Sequence, residues 1–316
     1  MTIATPKFGV GASALRKEDL PLLKGAGTYT SDLTRPGELR GFVVRSPYAA
    51  ARFTVTSIEA AREAPGVHLV LTGADLADLG PIPCLARATQ PDGTKHDVRE
   101  APILCRERVH HVGDAVAFIV ADTQEQAEDA AELVEIDWEM EDANVSLAAA
   151  GDEGTPLVWP ELGTNRVYEH QTGEAKPVEA AFAKAAKVTE ITVVNNRLVS
   201  NYMETRAAIG EWDAETESFT LTSGSQGVHG LRDSLAKHVF KVDPPRIRVV
   251  TPEVGGGFGT KAFNYREYVR GPSPLRPVPR NRSSRRGPSP CSCARRTRRR
   301  HRAARPVSCR ETARVG

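Results

Sequence analysis

The sequence is poor in the features that mark membrane, secreted and zinc-finger proteins. No segment approaches the roughly 18 consecutive apolar residues of a membrane-spanning helix. Residues 1–11 lack a basic stretch followed by an apolar run, so no secretory leader is expected and the cytoplasm is the expected compartment. Cysteine is scarce, 5 in 316 residues. Cys291, Cys293 and Cys309 lie in the last stretch, and Cys84 and Cys105 alone do not make a disulfide framework. One Cys-x-Cys followed irregularly by His301 and Cys309 does not match zinc-finger spacing. Residues 270–316 contain no Ile, Phe, Tyr, Trp or Lys and a single Leu, so no apolar face of any period can be drawn on them and no core is expected there.

What that stretch does contain is arginine: 15 Arg against one acid, Glu311, a net of +14. The whole chain carries only +2, so residues 1–269 carry 2 − 14 = −12. An acidic body is joined to a polycationic end, and the two need separate accounts. Arg, Pro, Ser, Ala and Cys all have GC-rich codons, and the end reads as a GC-rich gene translated out of frame. A disordered polybasic tail or a small folded accessory element are the other readings. The run RRTRRRHR at 295–302 would contact phosphates without sequence preference, but the acidic body and the absence of interleaved aromatics argue against a nucleic-acid-binding role.

With 40% hydrophobic residues, the body is long enough for two cores. Residues 115–120 are continuously apolar, as in a strand covered on both faces, and TQEQ at 123–126 follows with capping-box spacing, predicting a helix. Alternation over 133–138 predicts the return strand. A short helix over 58–64, stopped by Pro65-Gly66, and a strand over 67–71 precede this unit. Residues 80–108 read as a surface excursion, and 143–165 as a boundary between domains. Beyond it the pattern predicts a helix over 178–186, strands over 188–194, 207–212, 219–223 and 246–250, and a helix with Val228, Leu231, Leu235 and Val239 on one face. The body is therefore of α/β or α+β class, without internal repeats.

Three segments carry possible chemistry. At 252–259, PEVGGGFG follows a strand. The missing β-carbons let backbone N–H groups close on an anion or a flat ligand, although neither dinucleotide-fold nor phosphate-loop spacing is met, and a structural turn is the plainer reading. At 224–229, GSQGVH leaves a strand and opens a helix. Backbone donors there, with the Gln226 amide beside them, would suit an oxo group or phosphate, while Gln226 and His229 also suit ordinary loop positions. At 195–206, NNRLVSNYMETR clusters amides with Glu204 and Arg206, which fix neighbouring loops or line a polar pocket. His110 and His111 are adjacent on an extended segment and face opposite ways, so they are read as structural or exposed. Trp138, Trp159 and Trp212 are read as packing residues.

In order, NNRLVSNYMETR at 195–206, SQGVHGLR at 225–232 and VGGGFGTK at 254–261 resemble the cofactor-binding domain of molybdenum hydroxylase large subunits, the family of aldehyde oxidase, xanthine dehydrogenase and carbon monoxide dehydrogenase. On the amino-terminal side RKEDLPLLKG at 16–25, FVVRSP at 42–47, APGV at 64–67, LTGAD at 71–75 and VGDAVA at 112–117 resemble that family's hammerhead α/β domain. The resemblance implies an α+β chain: a hammerhead domain over 1–145 and the first part of a molybdopterin-binding domain over 146–269; the end over 270–316 lies outside it and is expected, from its composition, to be disordered and frameshifted. It implies a molybdenum-molybdopterin dinucleotide, of the cytosine kind, that hydroxylates an aldehyde or heterocycle or oxidises carbon monoxide with oxygen from water. Electrons would pass to partners, an iron-sulfur small subunit with two-iron two-sulfur clusters and an FAD-binding medium subunit. By motif match Gln226 would sit near the molybdenum oxo ligand, Gly256, Gly257, Phe258 and Gly259 would approach metal and pterin, and no residue would ligate the metal directly. Ala262 stands where purine-oxidising members resemble one another in having glutamate, which disfavours a xanthine-type substrate. The general-base glutamate and the later cofactor loops belong to sequence not present here, so this chain by itself is expected to be inactive.

Overall fold

The computed structural model describes residues 9, 10, 12, 15–84, 88–95, 99–196 and 198–269, and the backbone alone of Arg270 and Ser289–Ala294. Among the described residues, ten strands and six α-helices follow one another: α1 (Asp19–Leu23), β1 (Leu39–Arg45), β2 (Ala51–Ser57), α2 (Glu59–Glu63), β3 (Val67–Thr72), β4 (Arg108–Val109), β5 (Ala115–Ala121), α3 (Gln124–Glu132), β6 (Glu135–Met140), α4 (Ala175–Lys184), β7 (Ala207–Asp213), β8 (Ser218–Ser223), α5 (Val228–Ser234), β9 (Ile247–Val250), α6 (Glu267–Arg270) and β10 (Ser289–Ala294). The mixture is of α+β type.

The strand expected at 115–120 is the centre of the molecule. All seven residues of β5 are buried, and β5 pairs antiparallel with both β1 and β3. The capping box is formed: the Thr123 hydroxyl accepts from the Gln126 N–H at 3.2 Å, and the Gln126 side chain accepts from the Thr123 N–H at 3.0 Å. Ala127 and Ala130 of α3 then pack, with Ala61 of α2, on the Ile119 and Ala121 side of β5. Small side chains let these short helices approach the sheet closely. A separate three-stranded sheet, β4-β2-β6, packs Trp138 against Phe53, tilted, and Tyr48, edge-on.

The larger sheet runs β3-β5-β1-β10-β7-β8-β9, so strands from both halves of the chain share it. β10, a six-residue piece of the arginine-rich end, lies parallel to β1 and antiparallel to β7. The expectations placed on the rest of 270–316 lie outside the described residues. One apolar cluster joins Leu71, Leu104 and Phe118 to Leu221, Leu231, Leu235, Val239 and Tyr268. Each large side chain buried there contributes about 1.5–3 kcal/mol of transfer free energy, and the cluster ties the amino-terminal half of the body to the carboxyl-terminal half.

Besides β10, a strand at 289–294 where the arginine-rich end is expected to be disordered, three local expectations differ. The segment 80–108 is not wholly a surface excursion, because Ile103, Leu104 and Cys105 are buried. The helix from Val228 changes at Leu235 to one wider π turn through Phe240, and Lys241 closes it with positive φ, 54°. No strand forms over 188–194; its residues are exposed, and no other described segment offers them a ladder.

Candidate functional site

β8 and β9 are parallel neighbours, with Thr222 beside Val250, and the chain crosses between them through α5 and the π turn. Loops that leave the carboxyl ends of adjacent parallel strands open on a common crevice. Here those loops are 224–227 and 251–259, the two glycine-bearing segments singled out in the sequence.

The loops are locked together through Gln226. Its side-chain oxygen accepts the N–H of Gly259 at 3.0 Å and of Lys261 at 3.2 Å, and its own N–H donates to the Lys261 carbonyl at 3.1 Å. With the amide oxygen used twice, the amide still offers its N–H donors. Gly257 is buried beneath this contact, and a β-carbon on it would stand 2.6 Å from the Gln226 Oε1. Gly227 and Gly259 differ: a β-carbon on either meets nothing within 4 Å, so both present bare backbone to open space. Gly256 and Gly259 have φ of 95° and 88°, where a β-carbon is costly. Phe258 adopts positive φ, 45°, and is 76% exposed. A large apolar residue held in that backbone region costs roughly 1–3 kcal/mol unless its surroundings or its function require it.

Behind the glycines lies a buried ion pair. Lys261 Nζ is 2.5 Å from Glu204 Oε2, with side chains 1% and 7% exposed. The same carboxylate oxygen accepts the N–H of Gly255 at 2.8 Å, and the Lys261 ammonium stands 4.7 Å from the centre of the Tyr202 ring. The Arg206 guanidinium lies 3.9 Å over Tyr265 and donates to the Tyr202 hydroxyl at 3.2 Å. The segment 202–206 thus braces the loop from below. From the amino-terminal half, Thr28 bonds Glu253 twice: its N–H donates to the carboxylate, and its carbonyl accepts the Glu253 N–H.

A second charged cluster joins the halves away from the loops. Arg266 donates to Asp114 at 2.8 Å, Asp114 accepts the His110 N–H at 2.8 Å, and its other contact is His111 Nδ1 at 3.1 Å. Burial pushes the Asp114 carboxyl up, but the His111 bond and the Arg266 charge more than reverse this and hold it well below the usual carboxylate range. Burial beside Asp114 raises the Cys105 thiol to about 11.

The structure therefore brings Gln226, Gly256, Gly257, Phe258 and Gly259 to one place. His229 is exposed on α5, and Asn195, Asn196 and Ala262 are exposed. The bond between Glu204 and Lys261 was not legible: nothing local links residues 57 positions apart. Trp138 and Trp212 pack in the cores, and Trp159 lies against the His110 ring. Among the described residues, no group of three or more His, Cys, Asp or Glu is placed to hold a metal, and no helix is long and apolar enough to cross a membrane.

Comparison with known proteins gives these loops a context. Residues 24–142 match the model for the aldehyde oxidase and xanthine dehydrogenase a/b hammerhead domain, and 158–270 that for the molybdopterin cofactor-binding domain. The chain is similar to the carbon monoxide dehydrogenase large chain of Afipia carboxidovorans, 30% identical over 83% of this chain and 32% of that one. It is also similar to the nicotine 6-hydroxylase large subunit of Paenarthrobacter nicotinovorans, 32% identical over 82% and 31%. The crystal structure of quinoline 2-oxidoreductase from Pseudomonas putida superposes with a TM-score of 0.73 at 33% identity, covering 85% of this chain and 33% of that one. The chain spans about a third of the length of these relatives. With its glycine loops lying inside the matched cofactor-binding domain, the chain belongs to the family of molybdenum hydroxylase large subunits that includes carbon monoxide dehydrogenase, xanthine dehydrogenase and aldehyde oxidoreductase.

Proposed function

We propose that residues 224–227 and 255–261 form one wall of the site for a molybdopterin dinucleotide, of the cytosine form, in a hydroxylase of aldehydes, heterocycles or carbon monoxide. The carrying observation is the convergence of Gln226 with the Gly256–Gly259 loop at the ends of β8 and β9. The residues fit such a group. Gly227 and Gly259 leave open backbone for a flat ring system, and the Gln226 amide, its oxygen occupied, donates N–H to an oxygen acceptor at the metal end. Phe258, on the same loop, is an exposed apolar residue. When bound, the cofactor supplies two-electron chemistry in which substrate gains oxygen from water, and the electrons leave through iron-sulfur and FAD-bearing partner subunits. What the chain's own residues do is bind and orient.

Residues 1–145 and 146–269 act as hammerhead domain and partial cofactor-binding domain of this assembly. Relatives named for nicotine, quinoline and carbon monoxide mark the range of substrates. A site with one wall leaves most of a large cofactor bare, so the chain alone holds it weakly and is inactive. The test is to purify the chain from a molybdenum-replete host and measure molybdenum, pterin fluorescence after oxidation, and aldehyde turnover. Substoichiometric metal and no turnover are expected. Stoichiometric molybdenum with turnover overturns the inactivity, and pterin content unchanged in Gln226→Ala overturns the placement of the site.

A further inference from the structure

The segment NYREY at 264–268 opens α6, and the Tyr268 N–H closes its turn by donating to the Tyr265 carbonyl at 3.0 Å. Positions three apart in a helical turn are neighbours on one side, and the two between them point elsewhere. Tyr265 and Tyr268 accordingly meet edge-on with ring centres 5.7 Å apart, while Arg266 and Glu267 both reach the amino-terminal half. Arg266 donates to Asp114 at 2.8 Å, and Glu267 accepts from Arg45 at 2.5 Å. Both anchors are firmly held. Arg45 also donates to the Gly113 carbonyl at 2.9 Å, the Asp114 carbonyl accepts the Ser46 N–H at 2.8 Å, and the wholly buried β5 begins one residue later at Ala115.

The same turn touches the glycine loop. The Tyr265 hydroxyl donates to the Thr260 carbonyl, and Thr260 donates to the Gly257 carbonyl through both its N–H and its hydroxyl, each at 2.8 Å. Lys261, next in the chain, holds Gln226 through its own N–H and carbonyl. The loop needs such bracing, since Gly256, Phe258 and Gly259 all have positive φ and Phe258 and Gly259 lie exposed. We propose that Arg45 and Asp114 are positioning residues for this loop: they fix the 265–268 turn, and the Tyr265 hydroxyl carries that placement to Thr260, Lys261 and the Gln226 amide. Contiguous hydrogen bonds and packed side chains are the physical route by which one site constrains another. Two charged residues of the hammerhead domain thereby set where the cofactor-facing residues stand. The bearing on the cofactor rests on the proposed site; the placement of the loop is read without cofactor.

The experiment measures hydrogen exchange in the full chain, comparing the bonded amides of Gly255, Gly259 and Lys261 with those of β5, which open only in global unfolding. Arg45→Met breaks a pair whose side chains are about a third exposed, so it should speed the loop amides about fivefold and leave those of β5 unchanged. Arg45→Lys keeps the charge and should restore the native rates. Tyr265→Phe removes the bond to Thr260 and should also speed the loop amides about fivefold. Combined with it, Arg45→Met should add nothing, because the link is already cut. Asp114→Asn strands the Arg266 guanidinium and should act on the loop in the same direction; the milder Arg45 variants decide the matter if it does not fold. Four outcomes overturn the proposal: loop rates indifferent to Arg45→Met, β5 amides speeded by the same factor as the loop, no restoration by Arg45→Lys, or additive effects in the double variant. Retained pterin should fall in Arg45→Met, and a faster loop with pterin unchanged would count against the cofactor-site reading alone.

Discussion

Breaking the Lys261–Glu204 pair tests whether the glycine loop is held by buried charge or merely accompanied by it. At 2.5 Å the gross attraction is about 7 kcal/mol at an effective dielectric of about 20, and desolvation of two nearly inaccessible ions offsets most of it. Removing one partner forfeits the attraction but keeps the desolvation, so Lys261→Met and Glu204→Gln should each cost about 3–5 kcal/mol. The double variant has no charge left to strand, and should cost no more than either single, a coupling of about 3 kcal/mol or more. Glu204→Gln keeps an acceptor for the Gly255 N–H, which isolates the charge from the hydrogen bond. Urea unfolding followed by the fluorescence of Trp212, packed on Phe219 at 4.5 Å, reads the loss. With a slope of about 2 kcal/mol per M, a loss of about 3 kcal/mol moves the midpoint by about 1.5 M. Additive costs in the double variant would refute the reasoning, because they would mean that each side chain acts by packing alone.

Three further outcomes are expected. Gly257→Ala places a methyl 2.6 Å from the Gln226 Oε1, so Gln226 must leave the Gly259 and Lys261 N–H groups, and retained pterin should fall, measured by fluorescence after oxidation. Phe258→Gly relieves a positive φ of 45° and should leave stability equal or up by about 1 kcal/mol while lowering retained pterin; loss of stability instead would make Phe258 a packing residue. Asp114 has its folded pKa held below the ordinary 3.8, so its contribution is present in full above about pH 4 and declines as pH falls toward the folded value. Asp114→Asn should therefore flatten the acid limb of a stability–pH curve, and an unchanged limb would contradict the buried contact with Arg266.

Periodicity and capping made much of the body legible from the sequence. The continuous apolar run of β5, the TQEQ box of α3 and the apolar strand segments of β7 and β8 are signals carried within a dozen residues, and each formed as expected. The glycine loops were legible as loops for the same reason, since a missing β-carbon constrains the local backbone wherever it lies. By contrast, only the tertiary structure decided that strands of both halves share one sheet and one apolar cluster, that Glu204 neutralises Lys261, and that Asp114 meets Arg266. Those are pairings across 57 and 152 positions, and no local pattern encodes which distant partner a charge or a strand edge will find. The unpaired stretch 188–194 shows the same division from the other side. Its residue types ask for a strand, and a strand forms only where the folded chain provides a neighbour to complete its hydrogen bonds.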